Sequence, residues 1–319
     1  MFSVVIPLYN KENMVERTVA SALSQSYSDF ELIVVDDGST DDSASIVAAI
    51  DDPRLRVISQ PNCGPGPARN RGVEASRSEW IAFLDADDIW LADHLEELDS
   101  IRRAHPEAGL IGTAFARASA NSVPENLPVR SGAIGLVPYF DAVGRGDDVL
   151  ITSTAAARKQ AWRSVGGFPD HPSGEDSELW VRLALRWPVA ASTKVTAIYL
   201  SGTGGISDRQ KTRWLGKPLR EISDLSPAAA FLGREGAATP DGPNGSPANY
   251  IERCLYWCLH GSARAGDVRT LRALRHLYRH PPSIADKAIL AASVLPATLA
   301  RAAHRAIFVV QALSRRVLK

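Results

Sequence analysis

The sequence predicts an α/β fold in which a mostly parallel central sheet is covered by helices and followed by a helical C-terminal appendage. Three observations carry this. Apolar runs alternate with amphipathic segments from Phe2 to Leu84, the order of a sheet with helical crossovers. The runs lack polar alternation, as strands buried on both faces require. Finally, carboxylates follow the strand runs abruptly: Asp36-Asp37 after Glu31–Val35, and Asp85-Ala86-Asp87-Asp88 after Trp80–Leu84. That places negative charge at the carboxyl edge of the sheet, where open α/β folds bind ligands.

The elements follow in order. Ser3–Pro7 is the first strand, and Asn10 is placed to cap a helix carrying Val15, Val19, Ala22 and Leu23. Phe30–Val35 is the second strand, and Thr40 or Asp41 starts a helix with Ile46, Val47 and Ile50 inward. Leu55–Ser59 is the third, then a Gly/Pro turn and a helix from Pro67 to Ser76. Trp80–Leu84 is the fourth. Further strands are expected at Leu110–Phe115, Val149–Ala157 and Val189–Leu200, with Ala118–Gly135 a loop and Asp176–Arg186 a helix. Ser201–Asp208, with three glycines, reads as mobile. Ala237–Pro247 has linker composition, and helices are expected at 249–264, 267–280 and from Ile284.

The chain has 319 residues, enough for one large α/β domain with an appendage or for two domains. Its formal net charge is zero, unevenly spread: residues 1–100 hold 19 acids and 7 Lys+Arg, residues 250–319 hold 3 and 12. The acidic head suits metal chemistry, since gathered carboxylates repel unless a cation joins them, and a divalent ion carrying a phosphorylated ligand does so. The basic tail reads either as a solvated or packed helix or as an amphipathic helix on an anionic membrane. Three cysteines cannot form a disulfide framework. With no apparent leader before the first strand and no apolar run long enough to span a bilayer, the expected place is the cytoplasm, with a possible contact at the inner face of the membrane. Nucleic acid is not an expected partner.

No G-x-G-x-x-G follows the first strand, which argues against dinucleotide binding. Tyr9 offers a flat face to a base, or packs; Asp36 or Asp37 can accept a pyrimidine N–H, or shape a turn. Glu175-Asp176 reads as a catalytic pair or as acids favoured at a helix start, worth about 0.3–1 kcal/mol. Asp88 reads foremost as the N-cap of a helix through Ile89-Trp90-Leu91.

Taken together, Pro7-Leu8-Tyr9-Asn10, Val34–Asp41, Asn62-Cys63-Gly64, Ala68-Arg69-Asn70, Phe83–Asp88, Val165–Phe168, Gly174-Glu175-Asp176 and Leu179–Ala184 resemble, in order and spacing, the family 2 glycosyltransferases, the inverting group of GT-A fold. The resemblance covers about residues 1–210. It implies a catalytic domain over 1–215 (nucleotide-binding to 100, acceptor side beyond), a linker at 216–248 and a basic helical region at 249–319. It implies that Pro7, Tyr9 and Glu12 line the nucleotide pocket, that Asp37 reads the base and that Arg69 approaches base or diphosphate. Asp87 would hold Mg²⁺ or Mn²⁺, with Asp85 at the ribose or the metal's waters. Asp176 would be the general base, supported by Glu175. The donor would be a nucleotide-sugar, most simply a UDP-sugar, and the acceptor a glycan or a lipid-linked sugar. Gln210-Lys211-Thr212-Arg213-Trp214 also fits the Q-x-x-R-W pattern of processive synthases. A processive synthase subunit and a non-catalytic sugar-nucleotide scaffold are therefore the alternatives.

Overall fold

Seven residues from Phe2 to Leu8 form β1, all but one of them buried, and this strand sets the order of everything around it. The computed structural model describes residues 1–122, 132–171, 174–203, 243–265, 267–277 and 284–295, with positions 228–229, 231–232, 299–300 and 303. After β1 come α1 (Val15–Leu23), β2 (Phe30–Asp36), α2 (Ser43–Ala48), β3 (Leu55–Ser59), α3 (Pro65–Ala75), β4 (Trp80–Phe83), β5 (Ile89–Trp90) and α4 (His94–Ala104). Then follow β6 (Leu110–Ser119), β7 (Ile134–Leu136), α5 (Tyr139–Arg145), β8 (Ala155–Arg158), α6 (Lys159–Ser164), α7 (Glu175–Ala184) and β9 (Val189–Ser201).

The sheet runs β3-β2-β1-β4-β8-β6-β9-β5, with β7 also on β9. Strands β1 to β4 are mutually parallel, and so are β6 and β9. β8 enters antiparallel between β4 and β6, and β5 and β7 pair antiparallel with β9. Leu8 pairs with Asp36, so the loops after β1 and β2 leave the same edge side by side. Phe2, Val4, Ile6, Leu8, Val15, Val19, Leu32, Val34, Leu95, Leu98 and Ile101 share one core. Each such side chain contributes about 1.5–3 kcal/mol by leaving water. Gly72 lets α3 lie on the other face, since a Cβ there would stand 2.4 Å from Val5 Cγ1.

The chain divides into two compact units, one from Met1–Ala142, Asp147–Arg209 and Asp241–Gly245, the other from Val143–Gly146, Gln210–Pro240 and Ser246–Lys319. Asn244 is built into the first, its amide donating to Ala184 O and Trp187 O at 2.6 and 2.7 Å. In the second, α8 (Pro247–Ala265), α9 (Val268–Leu277) and α10 (Ile284–Ala292) bury Cys254, Cys258, Leu259, Leu271, Leu274 and Ile289. Burial pushes the Cys258 thiol up to about 12, which marks it as inert packing. Buried His260 and Asp286 join α8 to α10 at 2.6 Å. Among the described residues no helix is long and apolar enough to cross a membrane.

Four local expectations need correction. Asn10 does not cap α1: it adopts φ +50°, and its amide oxygen accepts the Thr40 backbone N–H at 2.8 Å, tying the β1 loop to the β2 loop. No helix starts at Asp88; Ile89 and Trp90 form β5, because β9 offers them an edge. The run from Val149 is strand only from Ala155, since Thr152–Thr154 turn as a 3₁₀ segment. And β6 reaches Ser119 while Ile134–Leu136 is a strand, both paired with the long β9. Residues 204–227, which include Gln210–Trp214 and most of the Ser201–Asp208 stretch, lie outside those described, as does almost all of the tail beyond Leu295.

Candidate active site

The carboxyl edge of the sheet ends in two laced loops. Asn10 N–H donates to Ser39 Oγ at 3.2 Å, Lys11 N–H to Ser43 Oγ at 2.7 Å, and Glu12 Oε2 accepts the Asp42 N–H at 3.2 Å. Tyr9, on the first of these loops, is 45% exposed. Asp37 is buried, and its carboxylate accepts from Gln60 Nε2, Cys63 N–H and Gly64 N–H at 2.8–2.9 Å. This side chain thus shapes the turn from Gln60 to Gly64 that leads into α3.

That helix carries Arg69, buried above Phe168 with its guanidinium carbon 5.3 Å from the ring centroid. Phe168 packs with Phe83 and Trp180 in an aromatic cluster, centroids 5.1–6.0 Å apart. Over this apolar floor Arg69 donates through one terminal nitrogen to Asp85 Oδ1 at 2.6 Å and through the other to Glu175 Oε1 at 2.7 Å. Asn70 exchanges bonds with the backbone of Phe168 in both directions, at 2.8 and 2.9 Å. The turn before α7 is therefore fixed to α3. Gly174, at φ +76°, starts α7 with Glu175 and Asp176 in its first turn. Burial and the neighbouring Asp176 raise the Glu175 carboxyl against the pull of Arg69. Asp85 is likewise raised by burial, with Arg69 opposing and Asp87 and Asp176 adding. The arginine, facing these acids, is held protonated more firmly than usual.

The 3₁₀ turn joins the two acidic segments. Thr152 Oγ1 donates to Asp176 Oδ2 at 3.1 Å, while the Ser177 N–H donates to Oδ1 at 2.6 Å. Ser153 Oγ receives the Asp85 N–H at 3.1 Å and donates to Asp88 Oδ2. Asp88 is 1% exposed and also takes the Leu200 N–H on Oδ1 at 2.9 Å. Its carboxyl lies well above the usual range, through burial and then the charges of Asp85 and Asp87. A group so enclosed supports the loop and is not open to a ligand. From below, Thr18 of α1 donates to the backbone oxygens of Ala86 and Asp88 at 3.0 and 2.8 Å.

Asp87 faces a different set. Its Oδ2 accepts from Lys11 Nζ at 2.5 Å and from Thr203 Oγ1 at 2.6 Å. Asp87 Oδ1 and Asp85 Oδ2 accept no hydrogen bond among the described residues. Among the described residues no group of three or more His, Cys, Asp or Glu is preassembled for a metal. Two free carboxylate oxygens are too few for an all-protein cage. They fit a hard cation that arrives with phosphate oxygens, the usual arrangement for Mg²⁺.

Of the predicted residues, the structure brings Arg69, Asp85 and Glu175 into contact, with Asp87 and Asp176 in electrostatic reach. Pro7, Tyr9, Glu12 and Asp37 stand along the ends of β1 and β2. Thr152, Ser153, Lys11 and Thr203 were not anticipated. Three consecutive hydroxyl residues interrupting an apolar run at Thr152-Ser153-Thr154 were the available signal for the first two. Contacts spanning 76 residues from Lys11 and 116 from Thr203 had none.

Residues 3–128 match Glycosyl transferase family 2. The succinoglycan biosynthesis protein ExoO of Rhizobium meliloti (strain 1021) is 45% identical over 95 residues, which are 30% of this chain and 27% of that protein. The chain spans less than a third of the length of the first curated relatives it matches. Among solved structures, S. aureus TarS 1-349 in complex with UDP-GlcNAc aligns with TM-score 0.56 at 18% identity, over 96% of this chain and 90% of that one. The mannosyltransferase PcManGT from Pyrobaculum calidifontis, in complex with GDP-Man and Mn2+, aligns with TM-score 0.60 at 18% identity, over 96% and 84%. The mixed sheet and its helical layers are those of a GT-A glycosyltransferase. Over residues 3–128 the chain is similar to a glycosyltransferase family 2 domain.

Proposed function

We propose that this chain is an inverting glycosyltransferase that moves a sugar from a nucleotide-sugar, most simply a UDP-sugar, to a hydroxyl of a glycan or lipid-linked acceptor. The observation that carries the reading is the placement of Asp176. Thr152 and the α7 N-terminus orient its carboxylate, and Arg69 and Ser153 link it to the segment bearing Asp85 and Asp87. Asp176 takes the acceptor's hydroxyl proton while that oxygen bonds to the anomeric carbon from the face opposite the diphosphate. The bond from anomeric carbon to phosphate oxygen breaks, and the nucleoside diphosphate leaves with the electron pair.

Pro7, Tyr9, Glu12 and Asp37 border the nucleotide in this reading. Arg69 acts through the two carboxylates it holds, Asp85 and Glu175. Asp87, with the free oxygen of Asp85, would hold Mg²⁺ or Mn²⁺; when bound, the ion neutralises charge on the leaving diphosphate. The neighbours solved with UDP-GlcNAc, and with GDP-Man and Mn2+, support a nucleotide-sugar donor and a divalent ion. We assign catalysis to residues 1–215 together with Asp241–Gly245, which belongs to the same compact unit through Asn244, a linker to the stretch between them, and the basic helices from Pro247 to contact with the inner face of a membrane.

The test is thermal stability of the full chain with UDP, GDP, TDP or CMP, each with and without Mn²⁺. A ligand at about 100 times its dissociation constant adds about 2.7 kcal/mol. A metal-dependent shift with one nucleotide supports the reading and identifies the donor class. No shift with any of them, in a folded sample, removes the support for a nucleotide site and with it for this reading.

A further inference from the structure

One carboxylate oxygen at the centre of the site already holds a cation supplied by the protein. Lys11 Nζ lies 2.5 Å from Asp87 Oδ2, with both side chains about five-sixths buried at 15% and 16% exposure. The Thr203 hydroxyl reaches the same oxygen at 2.6 Å, and its backbone carbonyl accepts Lys11 Nζ at 3.4 Å. Residues from three separate places in the sheet, the β1 loop, the segment after β4 and the end of β9, therefore converge on one atom.

The charge balance explains why. Asp85, Asp87, Asp88, Glu175 and Asp176 act on one another electrostatically. Arg69 is buried and committed to Asp85 and Glu175. Lys11 provides the positive charge on Asp87. A guanidinium in a two-carboxylate fork is a fixed part, whereas an ammonium on a four-carbon stem is a point charge that can move.

Building on the metal-assisted reading above, we propose that Lys11 is a place-holding cation. It occupies Asp87 until a nucleoside diphosphate arrives with its divalent ion, and it then yields that oxygen and turns to the diphosphate. Ammonium on Oδ2 and a divalent ion on the open Oδ1 compete for the single negative charge of the Asp87 carboxylate, so the ion alone binds poorly and enters with the nucleotide. Lys11 is thereby a determinant of binding order.

The experiment measures Mn²⁺ binding by the electron paramagnetic resonance signal of the free ion, using the full chain with and without UDP or GDP. Wild type is compared with Lys11→Met, Lys11→Gln and, as a charge-neutral control at the same oxygen, Thr203→Val. Both Lys11 variants are expected to bind Mn²⁺ alone about tenfold or more tighter than wild type, with Thr203→Val changing it less than threefold. The advantage that the nucleotide gives to Mn²⁺ binding should shrink in both. If Lys11→Met and Lys11→Gln bind Mn²⁺ alone no more tightly while a nucleotide still promotes binding in all proteins, Lys11 is not a place-holder and the proposed function stands. If no nucleotide promotes Mn²⁺ binding in wild type, the reading of the metal site fails and this inference fails with it.

Discussion

Arg69 and Glu175 form a 2.7 Å ion pair across 106 residues of sequence, 5% and 7% exposed, and the same guanidinium holds Asp85 at 2.6 Å. One arginine thus fixes the start of α7, where Asp176 sits, relative to the acidic segment after β4. Removing one partner of a buried pair leaves a charge uncompensated, at about 3–5 kcal/mol. Arg69→Met should lower stability by that order in a denaturant titration. Arg69→Lys cannot reach both carboxylates in the fork geometry and should recover only part of the loss. Full stability in Arg69→Met would contradict the assignment.

Thr152 holds one oxygen of Asp176 at 3.1 Å. Thr152→Val removes that bond while nearly keeping the volume, so the carboxylate is less well aimed. The expected outcome is a fall of about tenfold or more in kcat, since small misplacements of a reacting group are costly. Nucleotide affinity should stay unchanged. Steady-state kinetics together with nucleotide titration separates the two.

His94 is fully buried, stacked on Trp90 with centroids 4.2 Å apart, and its Nδ1 lies 2.7 Å from Thr196 Oγ1. Its Nε2 has no hydrogen-bond partner among the described residues. Burial lowers its pKa to about 3 from 6.5, so the unfolded chain binds the extra proton first. The stability that a neutral His94 allows is complete above pH 6.5 and is lost as pH falls toward 3, by up to about 1.4 kcal/mol per pH unit. Asp85, Asp88 and Glu175 act in the opposite sense, their raised carboxyls keeping protons in the fold. His94→Gln should therefore flatten the acid limb of the wild-type profile between pH 6.5 and 4, read from urea midpoints.

Gly72 shows how closely α3 lies on the sheet. A Cβ there would meet Val5 Cγ1 at 2.4 Å and Val35 Cγ2 at 3.3 Å. Gly72→Ala gains helix propensity but overpacks the contact, at about 1–3 kcal/mol. A lower melting temperature is expected, with a further loss of activity because α3 carries Arg69.

The strands β1 to β4 were legible because uninterrupted apolar runs buried on both faces have few other readings. The acidic ends of β2 and β4 were legible for the same reason, since an abrupt change from apolar to charged marks a strand end. Beyond β4 local pattern failed where pairing decides structure. Ile89 and Trp90 are strand because β9 lies beside them, and Val149–Thr154 departs from strand because its hydroxyls turn toward Asp176 and Asp88. Asn10 carries a capping residue's chemistry but spends it on Thr40, thirty residues away. Lys11 read as one lysine in an acidic half, and only the fold shows which carboxylate it meets.

The central claim is that Asp176 is the base of a sugar transfer, and Asp176→Asn tests it most directly. The amide keeps the shape and cannot take the acceptor's proton. With the donor identified by the nucleotide screen, transfer to acceptor should fall by about 10²–10⁴, with donor affinity and melting temperature near wild type. Retention of full transfer activity in a folded Asp176→Asn protein would contradict the account.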